Sequence, residues 1–170
     1  YNLTAITDPA AVLTHHLLDS LAVAADLHGA TVADVGTGAG FPGLPLAIVQ
    51  PQRQFTLLDS NGKKIRFVTH ATRVLGLHNV DAVHARAERF TPTQPFDTVV
   101  ARAFAALETL AETVAPLCGP ATRVIAMKGR PDASELKSLP PGWSIESVEP
   151  LEIPGLGEAR QLVILRPPQA

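Results

Sequence analysis

The run Asp34-Val35-Gly36-Thr37-Gly38-Ala39-Gly40-Phe41-Pro42-Gly43 is the strongest chemical signal in this chain. Glycines at alternate positions let the backbone approach a ligand closely and take up positive-φ turns, and a helix that follows them offers free N–H groups to a polar or anionic group. The dinucleotide fingerprint requires glycine where Phe41 stands, so a pyrophosphate cradle is disfavoured. Asp59 comes 23 residues after Gly36, at the end of a second apolar run, where a carboxylate accepts both hydroxyls of a ribose. A nucleoside cofactor without pyrophosphate satisfies both observations, and S-adenosylmethionine is the one expected.

A second signal is charge. Between Ser60 and Phe90 six bases (Lys63, Lys64, Arg66, Arg73, Arg86, Arg89) face two acids (Asp81, Glu88), giving that stretch +4 within a chain of net charge −2. Such a basic stripe suggests phosphate partners, though a solvated helix face has the same composition. His15, His16 and Asp19 have a helical spacing that could hold a metal, but no matching Cys/His pair exists elsewhere, and no metal is expected.

The elements that must position these groups follow from periodicity. Short β-branched runs over Thr31 to Val35 and Gln54 to Leu58 flank a helical Pro42 to Val49, a β-α-β unit. Asn61 can cap a basic helix from Gly62 to about Leu75. Further strands are expected over Asn79 to His84, Phe96 to Ala101 and Thr122 to Met127, with helices over Ala105 to Leu117 and Pro131 to Leu139. Alternating strands and helices imply a parallel sheet. Trp143 to Glu149 and Gln161 to Leu165 have no helix between them, so a hairpin-like return should add an antiparallel strand, which mixed sheets accept at an edge. Before all of these, Asp8-Pro9 starts an N-terminal helix that His28 and Gly29 close.

Composition bounds the class. With 170 residues, 46% apolar and 18% charged, the chain has the make-up of one globular domain over 1–170, and disordered, collagen-like and disulfide-scaffold classes are excluded. No stretch reaches 18 uncharged apolar residues and no signal peptide is legible; the lone Cys118 cannot form an internal disulfide, so a cytoplasmic setting is expected. Because residue 1 is Tyr, truncation of an N-terminal segment is expected as well.

The motifs together resemble the class I S-adenosylmethionine methyltransferases, and within them the RsmG (GidB) family of small-subunit ribosomal RNA guanine-N7 methyltransferases. The likeness is carried by Asn2-Leu3-Thr4, by His16 to Leu21, by the glycine loop continuing through Leu46, by Leu57-Leu58-Asp59-Ser60-Asn61-Gly62-Lys63-Lys64-Ile65-Arg66-Phe67, by Arg102-Ala103-Phe104-Ala105 and by Met127-Lys128-Gly129. It implies a Rossmann-like, mostly parallel seven-stranded sheet with the last strand antiparallel and helices on both faces. It further implies that Gly36, Gly38 and Phe41 line the methionine and ribose part of the cofactor, that Asp59 holds the ribose, and that Ala87 and Glu88 meet the adenine. Glu88 could otherwise pair with Arg86 or Arg89. Arg102 would face the transferred methyl, as a cofactor contact and as the group that positions the base, or else form an ordinary ion pair with Asp97 or Glu108. Lys63, Lys64, Arg66, Lys128 and His16 would meet RNA, His16 with Asp19 on the substrate side, with an edge lysine and a helix-surface histidine as the plain alternatives for Lys128 and His16. The implied partner is small-subunit ribosomal RNA or the small ribosomal particle, served by a monomer.

Guanine N7 carries an in-plane lone pair, so its methylation needs positioning and electrostatics rather than a dedicated base. Val100-Ala101-Arg102-Ala103-Phe104 lacks the Asn/Asp-Pro-Pro-aromatic motif of exocyclic amine methylation, and Cys118 follows Leu117 where a pyrimidine-carbon enzyme would have Pro. Phe104 could stack on the base. A small-molecule methyltransferase of the same fold and a non-catalytic cofactor-binding module are the competing readings.

Overall fold

A computed structural model describes residues 13–104, 106–129 and 133–169; the expected helix start at Asp8-Pro9 and the Asn2-Leu3-Thr4 motif lie outside the described residues. Seven strands, β1 (Thr31–Val35), β2 (Gln54–Asp59), β3 (Val80–His84), β4 (Thr98–Arg102), β5 (Arg123–Lys128), β6 (Ser144–Leu151) and β7 (Arg160–Arg166), form one sheet in the order β3-β2-β1-β4-β5-β7-β6. Strands β3, β2, β1, β4 and β5 pair in parallel, and β7 runs antiparallel to both β5 and β6. The order reverses between β1 and β4, which opens a crevice at their carboxyl ends.

The antiparallel strand is the last one, as expected, but it is not at the edge: β7 inserts between β5 and β6. Its run Leu162-Val163-Ile164-Leu165 is buried on both faces, whereas every residue of β6 is exposed or half-buried, the profile of an edge strand.

Alternation along the strands feeds two cores. Ala33, Val35, Val99, Ala101, Val124 and Ala126 point to one face, where Leu107, Leu110 and Val114 of the helix α4 (Leu107–Val114) cover them. Val32, Val100, Ile125 and Leu162 point to the other, against Leu44 and Leu46 of a helix at Gly43–Val49, Val68 of a helix at Gly62–Val74, and Val23 and Leu27. In chain order these two helices are α2 and α3, after a single α-helical turn α1 (Asp19–Leu21) that continues a π-helical stretch, Leu13–Leu18. The expected N-terminal helix is thus irregular where described, and ends at Leu21 before a 3₁₀ turn at Ala24–Asp26. Among the described residues of the helix expected over 131–139 there is a single 3₁₀ turn, Glu135–Lys137.

Helix α3 bears out its cap: Asn61 accepts the Lys63 N–H at 3.0 Å. Ile65 and Val68 face the sheet, leaving Lys63, Arg66 and Arg73 exposed. Among the described residues no helix is long and apolar enough to cross a membrane.

Candidate active site

The glycine loop leaves β1 and enters α2 with φ of 72° at Gly36, 61° at Gly38 and 91° at Gly40, a left-handed path that side chains would oppose. It hangs from β2, the Gly36 and Thr37 N–H groups donating to the Leu58 carbonyl at 2.9 and 3.0 Å. It is closed from below by Asp34, whose Oδ2 accepts from Thr37 Oγ1 at 2.6 Å and from the Gly43 N–H at 2.8 Å. Gly43 has no room for a side chain: a Cβ there would stand 2.7 Å from Asp34 Oδ2 and from Leu57 Cγ.

Asp34 is completely buried, and its Oδ1 has no hydrogen-bond partner among the described residues. Burial raises its carboxyl to about 6, against the downward pull of the Thr37 and Gly43 hydrogen bonds and of Arg102. The folded protein therefore binds this proton more tightly than the unfolded chain, whose value is 3.8. Stability attributable to Asp34 is fully present below about 4 and is lost as pH rises towards about 6, by up to about 3 kcal/mol. Urea denaturation of the protein and of Asp34→Asn should show the difference between them moving in the variant's favour across that window.

Asp59 ends β2 beside the loop. Its Oδ2 accepts the Gly38 N–H at 3.0 Å and its Oδ1 the Asn61 N–H at 2.8 Å, so the carboxylate is fixed while each oxygen keeps a lone pair for a ligand. A cavity of about 550 Å³ opens here, lined by Gly36, Asp59, Ala87, Glu88, Arg102 and Phe104 among others. Five expected cofactor residues, Gly36, Asp59, Ala87, Glu88 and Arg102, therefore share one space. Gly38 stands behind it, joined to Asp59. Glu88 also lies 3.6 Å from Arg86, a pairing on the exposed rim. Phe104, expected to stack on a base, lines this cavity instead, near Gly36: a Cβ on that glycine would be 3.7 Å from the ring. Lys64, expected to meet RNA, lines it as well, its ammonium 3.7 Å from Asp59.

A second cavity of about 410 Å³ lies on the other side of Arg102 and Ala103, which border both. Ala103 has φ of 61°, a costly conformation for a residue with a side chain, held at the junction of the two spaces. The second cavity is lined by His16, Asp19, Arg102, Met127, Lys128 and Arg160 among others. Arg102 is paired with neither Asp97 nor Glu108 but with Asp19, Nη1 to Oδ2 at 3.2 Å; Asp97 is engaged at the far end of β4, accepting from Ala30 and Thr31. Its guanidinium carbon also lies 5.7 Å from the centre of the Phe41 ring, which stacks on His16 at 4.9 Å.

Phe41, expected to line the methionine and ribose part of the cofactor, is not among the residues lining the first cavity and instead braces Arg102 and His16. His16 is buried, with Nδ1 3.4 Å from Arg102 Nη1, and is not the helix-surface histidine that was the plain alternative. Lys128 is directed inward, donating to the Phe104 carbonyl at 3.2 Å and pairing with Glu135, which in turn accepts the Leu107 N–H at the start of α4. That arrangement ties down the β4–α4 loop, and a phosphate contact by Lys128 would have to compete with it. Arg160 was not read from the sequence as a site residue, and Asp19 was read only beside His16, as a metal spacing or a substrate-side pair, not as the partner of Arg102. The spacing of His16 and Asp19 was the available signal, but only the fold brings their partner across.

The protein-family model described as rRNA small subunit methyltransferase G (GidB) matches residues 1–164. The Ribosomal RNA small subunit methyltransferase G of Methylococcus capsulatus is 51% identical over 167 residues, covering 98% of this chain and 81% of that protein. The protein of the same name from Chromohalobacter salexigens is 51% identical over 166 residues, 98% of this chain and 78% of that one. Solved structures similar in fold include a SAM dependent methyltransferase from Aquifex aeolicus, with a TM-score of 0.69, 19% identity and 93% of both chains covered. The N-methyltransferase NodS from Bradyrhizobium japonicum superposes with a TM-score of 0.69 at 13% identity, over 96% of this chain and 100% of that one.

Proposed function

From the premise that the chain belongs to the rRNA small subunit methyltransferase G family, we propose that it transfers a methyl group from S-adenosylmethionine to N7 of a guanine in 16S ribosomal RNA, as free RNA or in the small subunit. The observation that carries this reading is the pair of cavities divided by Arg102 and Ala103, one fitted to a nucleoside and the other able to admit a base. The donor set of the first suits the cofactor: a fixed carboxylate for ribose hydroxyls, glycine backbone for close approach, and Ala87 beside Glu88 for the adenine. When bound, the cofactor supplies an electrophilic methyl on a sulfonium.

The protein's own part is positional. Arg102 holds a fixed orientation because Asp19 and the Phe41 ring constrain its guanidinium, and from the dividing wall it can donate to the O6 of a guanine lying in the second cavity. No residue needs to remove a proton from N7, since the attacking lone pair is already free.

RNA would be drawn to the exposed bases Lys63 and Arg66 on the first turn of α3, which begins beside Asp59 at the mouth of the first cavity. Each phosphate contact releases counterions, with a log-log salt slope of about −0.7 per contact for single strands. Replacing Lys63 and Arg66 together by Ala should flatten the salt dependence of binding to small-subunit RNA by roughly 1.4 units. Lys64 is left intact in this variant because it touches Asp59. An unchanged slope would show α3 to be a solvated helix face.

A further inference from the structure

The second cavity contains a carboxylate whose purpose is not explained by packing. Asp19 lies on α1 with only 2% of its surface exposed, and it forms part of the cavity wall. Its Oδ2 is taken by Arg102 at 3.2 Å. Its Oδ1 is 3.5 Å from Arg160 Nε and has no hydrogen-bond partner among the described residues. A buried carboxylate oxygen left so is costly, and Arg160 offsets the charge of Oδ1 without taking up its directional lone pairs. Oδ1 is itself sealed from solvent, with Arg160 against it, so a donor entering the cavity would meet those lone pairs by displacing Arg160.

The edges of the bases decide which donor fits. A carboxylate accepts and cannot donate. Guanine offers N1–H and the 2-amino group side by side, with O6 as an acceptor next to them. Adenine has a bare lone pair at N1, which a carboxylate would repel. N7 sits on the opposite end of the guanine ring system from the 2-amino group. A base anchored at Asp19 by that group therefore points N7 away from α1, and the first cavity lies across Arg102 and Ala103. Arg102, fixed by the same carboxylate, is then at hand for O6.

Resting on the methyltransferase reading above, we infer that Asp19 accepts hydrogen bonds from the N1–H and 2-amino edge of the target guanine and is the residue that selects guanine over adenine. The attraction to one purine and the repulsion of the other come from the same oxygen, so discrimination needs no further group.

The test uses the intact protein, methyl-labelled S-adenosylmethionine and small-subunit RNA joined so that the methylated position carries guanosine or inosine, which lacks only the 2-amino group. With the unaltered protein, inosine should lower kcat/KM by about 10- to 100-fold, the range for one hydrogen bond to a charged group. Equal rates would overturn the assignment whatever any variant does. In Asp19→Asn the guanosine-to-inosine ratio should fall to within about threefold, while calorimetric affinity for S-adenosylmethionine stays within about twofold of the parent. A merely structural role would lower both substrates together and leave the ratio at the parent's value, which would also overturn the assignment. If the unaltered protein methylates no guanosine RNA at all, the functional reading fails and this one with it.

Discussion

Arg102→Ala is expected to slow methyl transfer by about 100-fold or more while changing S-adenosylmethionine affinity by only a few-fold. The asymmetry follows from where the guanidinium is anchored. Arg102 borders both cavities, and two of its polar contacts, Asp19 at 3.2 Å and His16 at 3.4 Å, lie on the side of the second. A donor held this way stabilises the charge and orientation of a base as the methyl moves, and contributes little when the cofactor binds alone. The substitution also leaves the Asp19 carboxylate buried with Arg160 as its remaining cation, and breaking a buried pair costs about 3 to 5 kcal/mol. Melting curves must therefore accompany the kinetics. Arg102→Lys restores a charge without the planar fork and should recover stability more than rate. If cofactor affinity falls in step with rate, Arg102 is a cofactor ligand and its role towards the base is wrong.

Asp59→Ala is expected to weaken S-adenosylmethionine binding by roughly 1 to 3 kcal/mol, about 5- to 150-fold. The carboxylate acts twice in this account. It offers lone pairs to a ribose, and it holds the Gly38 and Asn61 N–H groups that shape the loop and the start of α3. Removing it also strands the Lys64 ammonium now 3.7 Å away. Asp59→Asn replaces one acceptor by a donor, so one of the two backbone N–H groups loses its partner and the affinity should fall comparably. Isothermal calorimetry at constant pH measures this directly. Affinity equal to the parent's in Asp59→Ala would remove Asp59 from the cofactor site.

The local half of this site was legible and the long-range half was not. Gly36, Asp59 and the Asn61 cap could be read because their chemistry is set within a strand, a turn and the first turn of a helix. The order of alternating strands and helices gave the parallel sheet, and the missing helix before Gln161 gave the antiparallel return. The insertion of β7 between β5 and β6 depends on its burial on both faces, which the run Leu162 to Leu165 carries but which was read as an edge. Arg102 was found, yet its partner was sought among nearby acids. Asp19 lies 83 residues away in sequence, and only the packing of the N-terminal segment over the sheet brings it there. Lys64 and Lys128 read as solvent-facing bases because charge alone does not show that Asp59 and Glu135 hold them inward.

The central claim is chemical: the methyl goes to N7 of a guanine. Methylation there makes the imidazole ring cationic, so borohydride reduction followed by aniline cleaves the RNA chain at that nucleotide and at no ordinary one. Small-subunit RNA and small subunits incubated with the protein and methyl-labelled S-adenosylmethionine should acquire label and then break at one guanine. RNA incubated without the protein should stay intact. Label retained in RNA that resists scission would place the methyl on another atom, and label found in a pool of small metabolites but not in RNA would contradict the account altogether.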